Sequence, residues 1–246
     1  MYKKAGNSSS NSLTNNQQPA TSNQHPDSGF TLLEILIAIF IFAIIITTIF
    51  ASYKSVFTGS ETIDQGVKSY ETGRNCLNRM IIDIEAIHVS LPPEYYPPDF
   101  NAPPDPYRIA GDIFNVHGTA FPRLRFTSLA HVSFGGKTEG GIAEIVYYIQ
   151  TIEDGSYVLR RADSLYPYQP FEEKTANPVL CENVKSLTLK YYDREGTEYD
   201  LWDSDAEDFG YATPVAIGIK LELANDSDSL WFETMVSLPV CREKKE

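Results

Sequence analysis

A run of apolar residues from Phe30 to Phe50 constrains the fold of this chain more than any other feature. A helix of that length rises about 30 Å, the thickness of the hydrocarbon core of a bilayer, so the run predicts a membrane-spanning helix. Glu34 is its only charged residue. An acidic side chain costs about 2.5–3.5 kcal/mol at the centre of such a helix, and the position of Glu34 in the second turn only softens that penalty. The run offers no partner for this carboxylate, so we expect another molecule to supply one.

The run has two simpler interpretations, in which Glu34 has no partner in another molecule: an ordinary secretory signal and a plain membrane anchor. A secretory signal has an apolar region of about 7–15 residues and an A-x-A-like cleavage site. This run is longer, contains Glu34 and offers only a poor small-residue site at Ala51 and Ser52. A plain anchor fits the length but gives no reason for a glutamate five residues after Gly29. Lys3 and Lys4 favour a cytoplasmic N-terminus, with the bulk of the chain on the other side.

The residues after the run are numerous enough for one domain with its own core, and they carry the net charge. The whole chain has 20 Lys and Arg, 33 Asp and Glu and a net charge of −13, and the charges before Ala51 cancel. An acidic domain argues against nucleic acid as a partner, because phosphate binding needs a basic surface. The sequence has no G-x-S-x-G, no phosphate-binding glycine loop and no H-E-x-x-H, so we expect no enzymatic activity.

Beyond the membrane run the helix is predicted to continue to a point before Leu91, where Pro92 and Pro93 follow. Apolar residues recur there at intervals of three, four or seven, which indicates one face of an amphipathic helix: Ile63, Val67, Tyr70, Leu77, Ile81, Ile84 and His88. Glycines recur every seven residues, at positions 59, 66 and 73. They either let a neighbouring helix approach, let the helix bend, or coincide by chance in a tolerant linker.

The rest of the chain has the pattern of β structure, after a proline-rich stretch from Leu91 to Tyr107 that predicts an extended loop. The predicted strands are Tyr107–Val116, Pro122–Phe134, Ile142–Gln150, Tyr157–Arg161, Val184–Tyr192, Val215–Leu223 and Leu230–Leu238. Asp154-Gly155 predicts a hairpin, and Asn225–Asp228 a turn between the last two strands. One long helix followed by antiparallel strands predicts an α+β fold.

The sequence Gly29-Phe30-Thr31-Leu32-Leu33-Glu34, followed by the apolar run, resembles the class III signal of type IV pilins and type II secretion pseudopilins. The resemblance implies that the prepilin peptidase, a membrane-embedded aspartyl peptidase, cuts between Gly29 and Phe30 and methylates Phe30. Glu34 is then the fifth residue of the mature chain. At that position the family's glutamate neutralises the N-terminal amine of a neighbouring subunit. The implied fold is pilin-like: a long N-terminal helix, half in the membrane and half amphipathic, packed on an antiparallel β-sheet.

Later segments resemble the J-type minor pseudopilin of type II secretion, and they are Leu77–Asp83, Tyr157–Arg161, Leu180–Leu187, Tyr191–Asp193, Trp202 and Thr213–Ala216. The implied organisation is a cleaved leader (1–29), a transmembrane and assembly helix (30–50) and a periplasmic domain (51–246). The implied role is assembly with I-type and K-type minor pseudopilins and the major pseudopilin. Together they form the tip of a periplasmic pseudopilus that drives protein export, with a single pass through the inner membrane of a Gram-negative bacterium. The alternatives are a W-type minor type IV pilin and a membrane-anchored binding module.

The sequence offers two further candidate sites. Three cysteines allow at most one intramolecular disulfide, and they otherwise serve as buried small apolar residues. A bond between Cys181 and Cys241 would resemble the C-terminal disulfide loop of many true pilins. In the acidic stretch from Asp193 to Asp208, the alternate carboxylates of Asp203, Asp205 and Glu207 form a candidate calcium site, because Ca²⁺ takes six to eight oxygen ligands. A solvated charged loop is the alternative. No other cofactor is expected.

Overall fold

The structure of the protein, a computed structural model, describes residues 29–99, 102–132, 140–225 and 229–245, without the side chains of residues 56–65. The leader up to residue 28 and residues 226–228 of the predicted turn lie outside this description. By their internal contacts, the described residues up to Val56 and those from Phe57 onward form two compact units. The first contains the apolar part of a long helix, and the second contains the rest of that helix and all the strands.

The strands form two antiparallel sheets. The first sheet contains β1 (Ile87–His88), β2 (Ala110–Val116), β3 (Thr119–Ser128), β4 (Ala143–Thr151), β5 (Tyr157–Leu165), β6 (Val179–Cys181) and β9 (Trp202–Asp203). Its order is β6-β5-β4-β3-β2-β9, and β1 also pairs with β3. The second sheet contains β7 (Val184–Tyr192), β8 (Glu198–Tyr199), β10 (Ala216–Ala224) and β11 (Ser229–Ser237), in the order β11-β10-β7-β8. A 3-10 turn, Glu207–Phe209, follows β9.

All seven predicted strands are present, and Val184–Tyr192 has the predicted bounds. The second predicted strand ends at Ser128 rather than at Phe134. The predicted hairpin at Asp154-Gly155 is confirmed: Gly155 has a φ of +85°, and the Ser156 amide donates to Asp154 Oδ1 over 2.8 Å. The short strands β1, β6, β8 and β9 were not predicted, because two or three residues are too few for a recognisable alternation.

The long helix, α1, runs from Leu32 to Glu85 and contains 54 residues. It confirms that the apolar run and the amphipathic segment belong to one helix. The helix ends earlier than predicted, and His88 lies in β1 rather than on its apolar face. The physical reason is strand β3, which binds the last carbonyl groups of the helix. The Ser128 hydroxyl donates to the Asp83 carbonyl over 2.8 Å, and the Leu129 amide donates to the Ala86 carbonyl over 2.9 Å.

The buried side of α1 differs in part from the predicted apolar face. Leu77 and Ile84 are buried as predicted, whereas Val67 is 52% exposed and Tyr70 is 54% exposed. The side chains that α1 contributes to the main core, packed with residues of both sheets, are Cys76, Leu77, Met80 and Ile84. Helix α1 thus packs on antiparallel strands, and the α+β pilin-like fold predicted from the sequence is confirmed.

Candidate functional site

The start of α1 is closed by a reciprocal pair of contacts between Thr31 and Glu34. The Thr31 amide and the Thr31 hydroxyl each donate to Glu34 Oε2 over 3.0 Å. In return, the Glu34 amide donates to Thr31 Oγ1 over 3.2 Å. This is a capping box, in which the residue before the helix and the third helical residue satisfy each other's backbone amides. The expectation that the run offers no partner for Glu34 is therefore wrong.

The hydrogen bonds from Thr31 do not provide the Glu34 carboxylate with a counter-ion. Both Thr31 donors are neutral, and both bind the same carboxylate oxygen. The position also suits a negative charge, because the first turn of a helix carries the positive end of its dipole. Glu34 is thus held at a fixed place at the head of an apolar helix, and it forms no ion pair with any residue that the structure describes. Such a group can attract a cation.

The predicted cleavage point lies just before this helix. Gly29, Phe30 and Thr31 are outside α1, which begins at Leu32. Phe30 is 83% exposed, and an added Cβ at Gly29 would meet no atom within 4 Å. A peptidase needs an accessible backbone outside regular secondary structure, and the described residues on both sides of the bond between Gly29 and Phe30 meet this requirement. Cleavage at this bond and methylation of Phe30 stay predictions.

The helix behind the capping box has the properties of a membrane span. Within the part of the chain that the structure describes, α1 is the helix that is long and apolar enough to cross a bilayer, over Leu32–Ser55. The two threonines within Leu32–Ser55 donate their hydroxyls to the helix backbone: Thr48 donates to the Ile45 carbonyl over 2.8 Å, and Thr47 donates to the Ala43 carbonyl. Bonds of this kind reduce the cost of polar side chains in lipid.

The structure does not form the predicted disulfide between Cys181 and Cys241, because all three cysteines are free thiols. Cys181 instead contacts Cys76 of α1, with the two sulfur atoms 3.3 Å apart. Cys241 follows β11 and lies 3.6 Å from the carbonyl oxygens of Pro214 and Leu238. The sequence could not rank the three pairings, because which cysteines meet depends on how α1 packs on the sheets.

Two of the three calcium candidates, Asp203 and Asp205, are engaged with other groups. Asp203 pairs with Arg108 over 3.2 Å. Asp205 accepts bonds from the Asp105 amide over 2.7 Å and from the Tyr95 hydroxyl over 3.0 Å. Burial raises the pKa of Asp205, which disfavours its charged form. Among residues 29–99, 102–132, 140–225 and 229–245, no three His, Cys, Asp or Glu side chains are arranged to hold a metal ion. The structure therefore does not support calcium binding by Asp203, Asp205 and Glu207.

A buried ion cluster joins the end of α1 to the first sheet, and the sequence analysis missed it. Asp83 is fully buried. It binds Arg79 over 2.5 Å and Arg161 of β5 over 2.6 Å, and it accepts a bond from the Tyr147 hydroxyl of β4. Burial, followed by the negative charge of Asp83, raises the pKa of Tyr147 well above its usual range. The signals in the sequence were an arginine and an aspartate four residues apart in Leu77–Asp83, and the arginine pair at 160 and 161.

The comparisons with known proteins agree with the N-terminal segment. Residues 25–50 match the family model described as the prokaryotic N-terminal methylation motif. No curated protein matches the chain. The matched stretch contains the predicted cleavage point, the capping box and most of the apolar half of α1. This motif and the α+β pilin-like fold are together similar to those of membrane-anchored type IV pilin-like proteins, and the matched stretch covers only the N-terminal segment of the chain.

Proposed function

We propose that the chain is a minor pseudopilin of a type II secretion system, most like the J type. In this proposal residues 1–29 are removed, residues 30–50 anchor and assemble the protein, and residues 51–246 form a periplasmic domain. The observation that carries the proposal is the capping box on an apolar helix, with a charged Glu34 fixed five residues after an exposed Gly29-Phe30 bond.

Cleavage after Gly29 creates the cation that Glu34 lacks. The new amine of Phe30 is positively charged, and its position beside the positive end of the α1 dipole is unfavourable. A carboxylate on a neighbouring subunit neutralises this amine. The same pairing lowers the free-energy cost of that carboxylate in lipid. Assembly of helices side by side in the membrane then depends on the charge of Glu34, whereas the start of the helix depends on its hydrogen bonds to Thr31.

Two substitutions separate these roles. Glu34→Gln removes the charge but keeps a side-chain oxygen for the capping box, and Thr31→Val removes the cap but keeps the charge. We expect Glu34→Gln to insert normally and to reduce incorporation into the filament about tenfold or more. Thr31→Val should cost about 1 kcal/mol of helix stability and reduce incorporation much less. The measurement is the amount of each full-length variant that co-purifies with the major subunit.

Mass spectrometry of the mature N-terminus tests the processing step directly. With the cognate peptidase present we expect an N-methylated Phe30, whereas an intact Met1 or a cut near Ala51 contradicts the proposal. Normal incorporation of Glu34→Gln would contradict the pairing role alone.

Deletion of the gene distinguishes the two assembly systems. Loss of protein export with intact pili supports a type II pseudopilin, and loss of pili with intact export supports a W-type minor pilin. If neither process changes, the alternative of an anchored binding module is favoured.

A further inference from the structure

Cys76 and Cys181 are far apart in the sequence and adjacent in the fold. They are separated by 105 positions, yet their sulfur atoms are 3.3 Å apart. Cys76 lies on the buried side of α1 and Cys181 is the last residue of β6, and each side chain is 1% exposed. A covalent sulfur–sulfur bond is about 2.0 Å long, so the two atoms need to approach by little more than 1 Å.

We propose that Cys76 and Cys181 form a disulfide that joins helix α1 to edge strand β6 in the mature protein. The step removes two protons and two electrons from two thiols and forms one sulfur–sulfur bond. The oxidant is a second disulfide, carried by a thiol oxidase or a small thiol, which takes up the electrons and becomes two thiols. The presence of that oxidant rests on the proposed function, which places this domain outside the cytoplasm.

This bond would stabilise strand β6 at the edge of the first sheet. Strand β6 has three residues and lies at the edge of the first sheet, where its register with β5 shifts between Leu159 and Arg160. Such a short, irregular edge strand contributes few backbone hydrogen bonds, so it opens easily. A bond to α1 fixes β6 through its core-facing side chain at Cys181, and it closes a long loop that contains β1 to β5.

Burial of the Cys76 and Cys181 thiols in the folded protein limits the stage at which the bond can form. Contact with Cys181, followed by burial, raises the pKa of the Cys76 thiol well above its usual range. Because the thiolate is the reactive form, the folded pair exchanges slowly. We therefore assign the oxidation to folding, while β6 is docking on α1. The same burial protects the finished bond from soluble reductants, which makes it a structural cross-link rather than a switch.

Trypsin separates the three cysteines, which makes the pairing directly measurable. Cys76 lies in peptide 75–79, Cys181 in peptide 175–185 and Cys241 in peptide 221–242. Full-length protein matured in its own cell, alkylated in denaturant and digested without reductant should yield a linked pair of peptides 75–79 and 175–185. Cys241 should be the one alkylated thiol. Three alkylated cysteines, or a linked peptide 221–242, would overturn the pairing in the cell.

A second experiment tests the pairing of Cys76 with Cys181 separately from the extracytoplasmic location of the domain. The full-length protein is reduced in denaturant and refolded in detergent with oxidised glutathione, where the cellular compartment has no influence. The same linked peptides are expected, and their absence from both arms overturns the proposal. If they form in this arm while the cell-matured protein has three thiols, the pairing is supported and the extracytoplasmic location in the proposed function is contradicted.

Thermal unfolding supplies the matched controls. The oxidised protein should melt roughly 5–10 °C above the reduced protein, as expected for closure of a loop of this length. Cys76→Ala and Cys181→Ala should each abolish this dependence on reductant, and Cys241→Ala should preserve it. A reductant effect that survives Cys76→Ala contradicts the assignment.

Discussion

Glu34 combines two functions that belong to different parts of its side chain. Its oxygen accepts hydrogen bonds from Thr31 and thereby starts α1, while its charge stays available for a partner. The T-x-x-E signature of a capping box was readable in the sequence. It was overlooked because the carboxylate was considered only as an unpaired charge in lipid. A hydrogen-bond partner and a counter-ion are separate requirements, and Thr31 meets only the first.

Asp193 shows how one carboxylate fixes a turn between β7 and β8. It accepts a bond from the Thr197 amide over 2.8 Å and from the Tyr199 hydroxyl over 3.1 Å, and Lys244 lies 3.5 Å away. Burial alone would raise the pKa of Asp193, but these hydrogen bonds and the charge of Lys244 outweigh it and lower the pKa. The folded protein therefore binds this proton less tightly than the unfolded chain does.

The lowered pKa of Asp193 predicts how the stability of the protein depends on pH. The stabilisation by Asp193 is present above the unfolded pKa of about 3.9 and is lost as the pH falls through the lower folded pKa. Asp193→Asn should lower the melting temperature by roughly 3–6 °C at pH 7. The difference should shrink as the pH falls below about 4. Melting curves of both full-length proteins between pH 3 and pH 7 measure this, and a constant difference would contradict it.

At the scale of elements, the contact between α1 and β11 explains one of the three spaced glycines. A Cβ added at Gly73 would lie 2.3 Å from the Phe232 ring, whereas a Cβ at Gly66 would meet nothing within 4 Å. Phe232 is itself buried in the core. Gly73 thus permits close packing within this chain, which the sequence analysis had considered only for a neighbouring helix. The seven-residue spacing has no such reason at Gly66.

The two glycines form a matched pair of substitutions. Gly66→Ala should stabilise the protein by up to about 1 kcal/mol, because alanine favours the helix and meets no obstacle. Gly73→Ala should destabilise it by about 1–3 kcal/mol, because the overpacked ring must shift. Combining Gly73→Ala with Phe232→Leu should recover part of that loss. Urea unfolding in detergent compares these three full-length variants with the unsubstituted protein, and equal effects of the two alanines would count against the packing argument.

At the scale of the whole domain, one arginine connects three segments that lie outside the long strands and the helix. Arg242 is 3% exposed. Its guanidinium donates to the carbonyl oxygens of Ser204, Tyr211 and Ser90 over 2.6, 2.7 and 3.0 Å, and it lies over the Tyr95 ring at 3.3 Å. The proline-rich loop, the acidic stretch and the C-terminal segment therefore meet at one side chain, which also pairs with Asp105 and Asp205.

Arg242→Leu should therefore lower the free energy of unfolding by about 3–5 kcal/mol, because it leaves Asp105 and Asp205 buried without their cation. Arg242→Lys should recover only part of the loss, because an ammonium group cannot reproduce the fork of five donors. The control is Arg194→Leu, since Arg194 is 71% exposed where it pairs with Glu243. Its effect should stay within about 1 kcal/mol. Urea unfolding compares the three, and similar effects of Arg242→Leu and Arg194→Leu would refute this account.

The sequence by itself determined the features that depend on local patterns. The length and apolarity of the run from Phe30 predicted the membrane helix, alternation predicted the seven longer strands, and Asp154-Gly155 predicted its hairpin. Each of these is a property of neighbours in the chain, because backbone periodicity and turn chemistry act over a few residues.

The tertiary structure decided which distant groups meet. It places Cys181 against Cys76, and Asp83 against Arg161. It also pairs Asp203 with Arg108, and it brings Asp205 into contact with Arg242 and Tyr95. No periodicity records these contacts, because they depend on how α1 packs on the sheets and on where the loops meet. From sequence alone, charged residues are expected to lie in solvent. Only the packing shows that an Asp or Arg is buried with its partner.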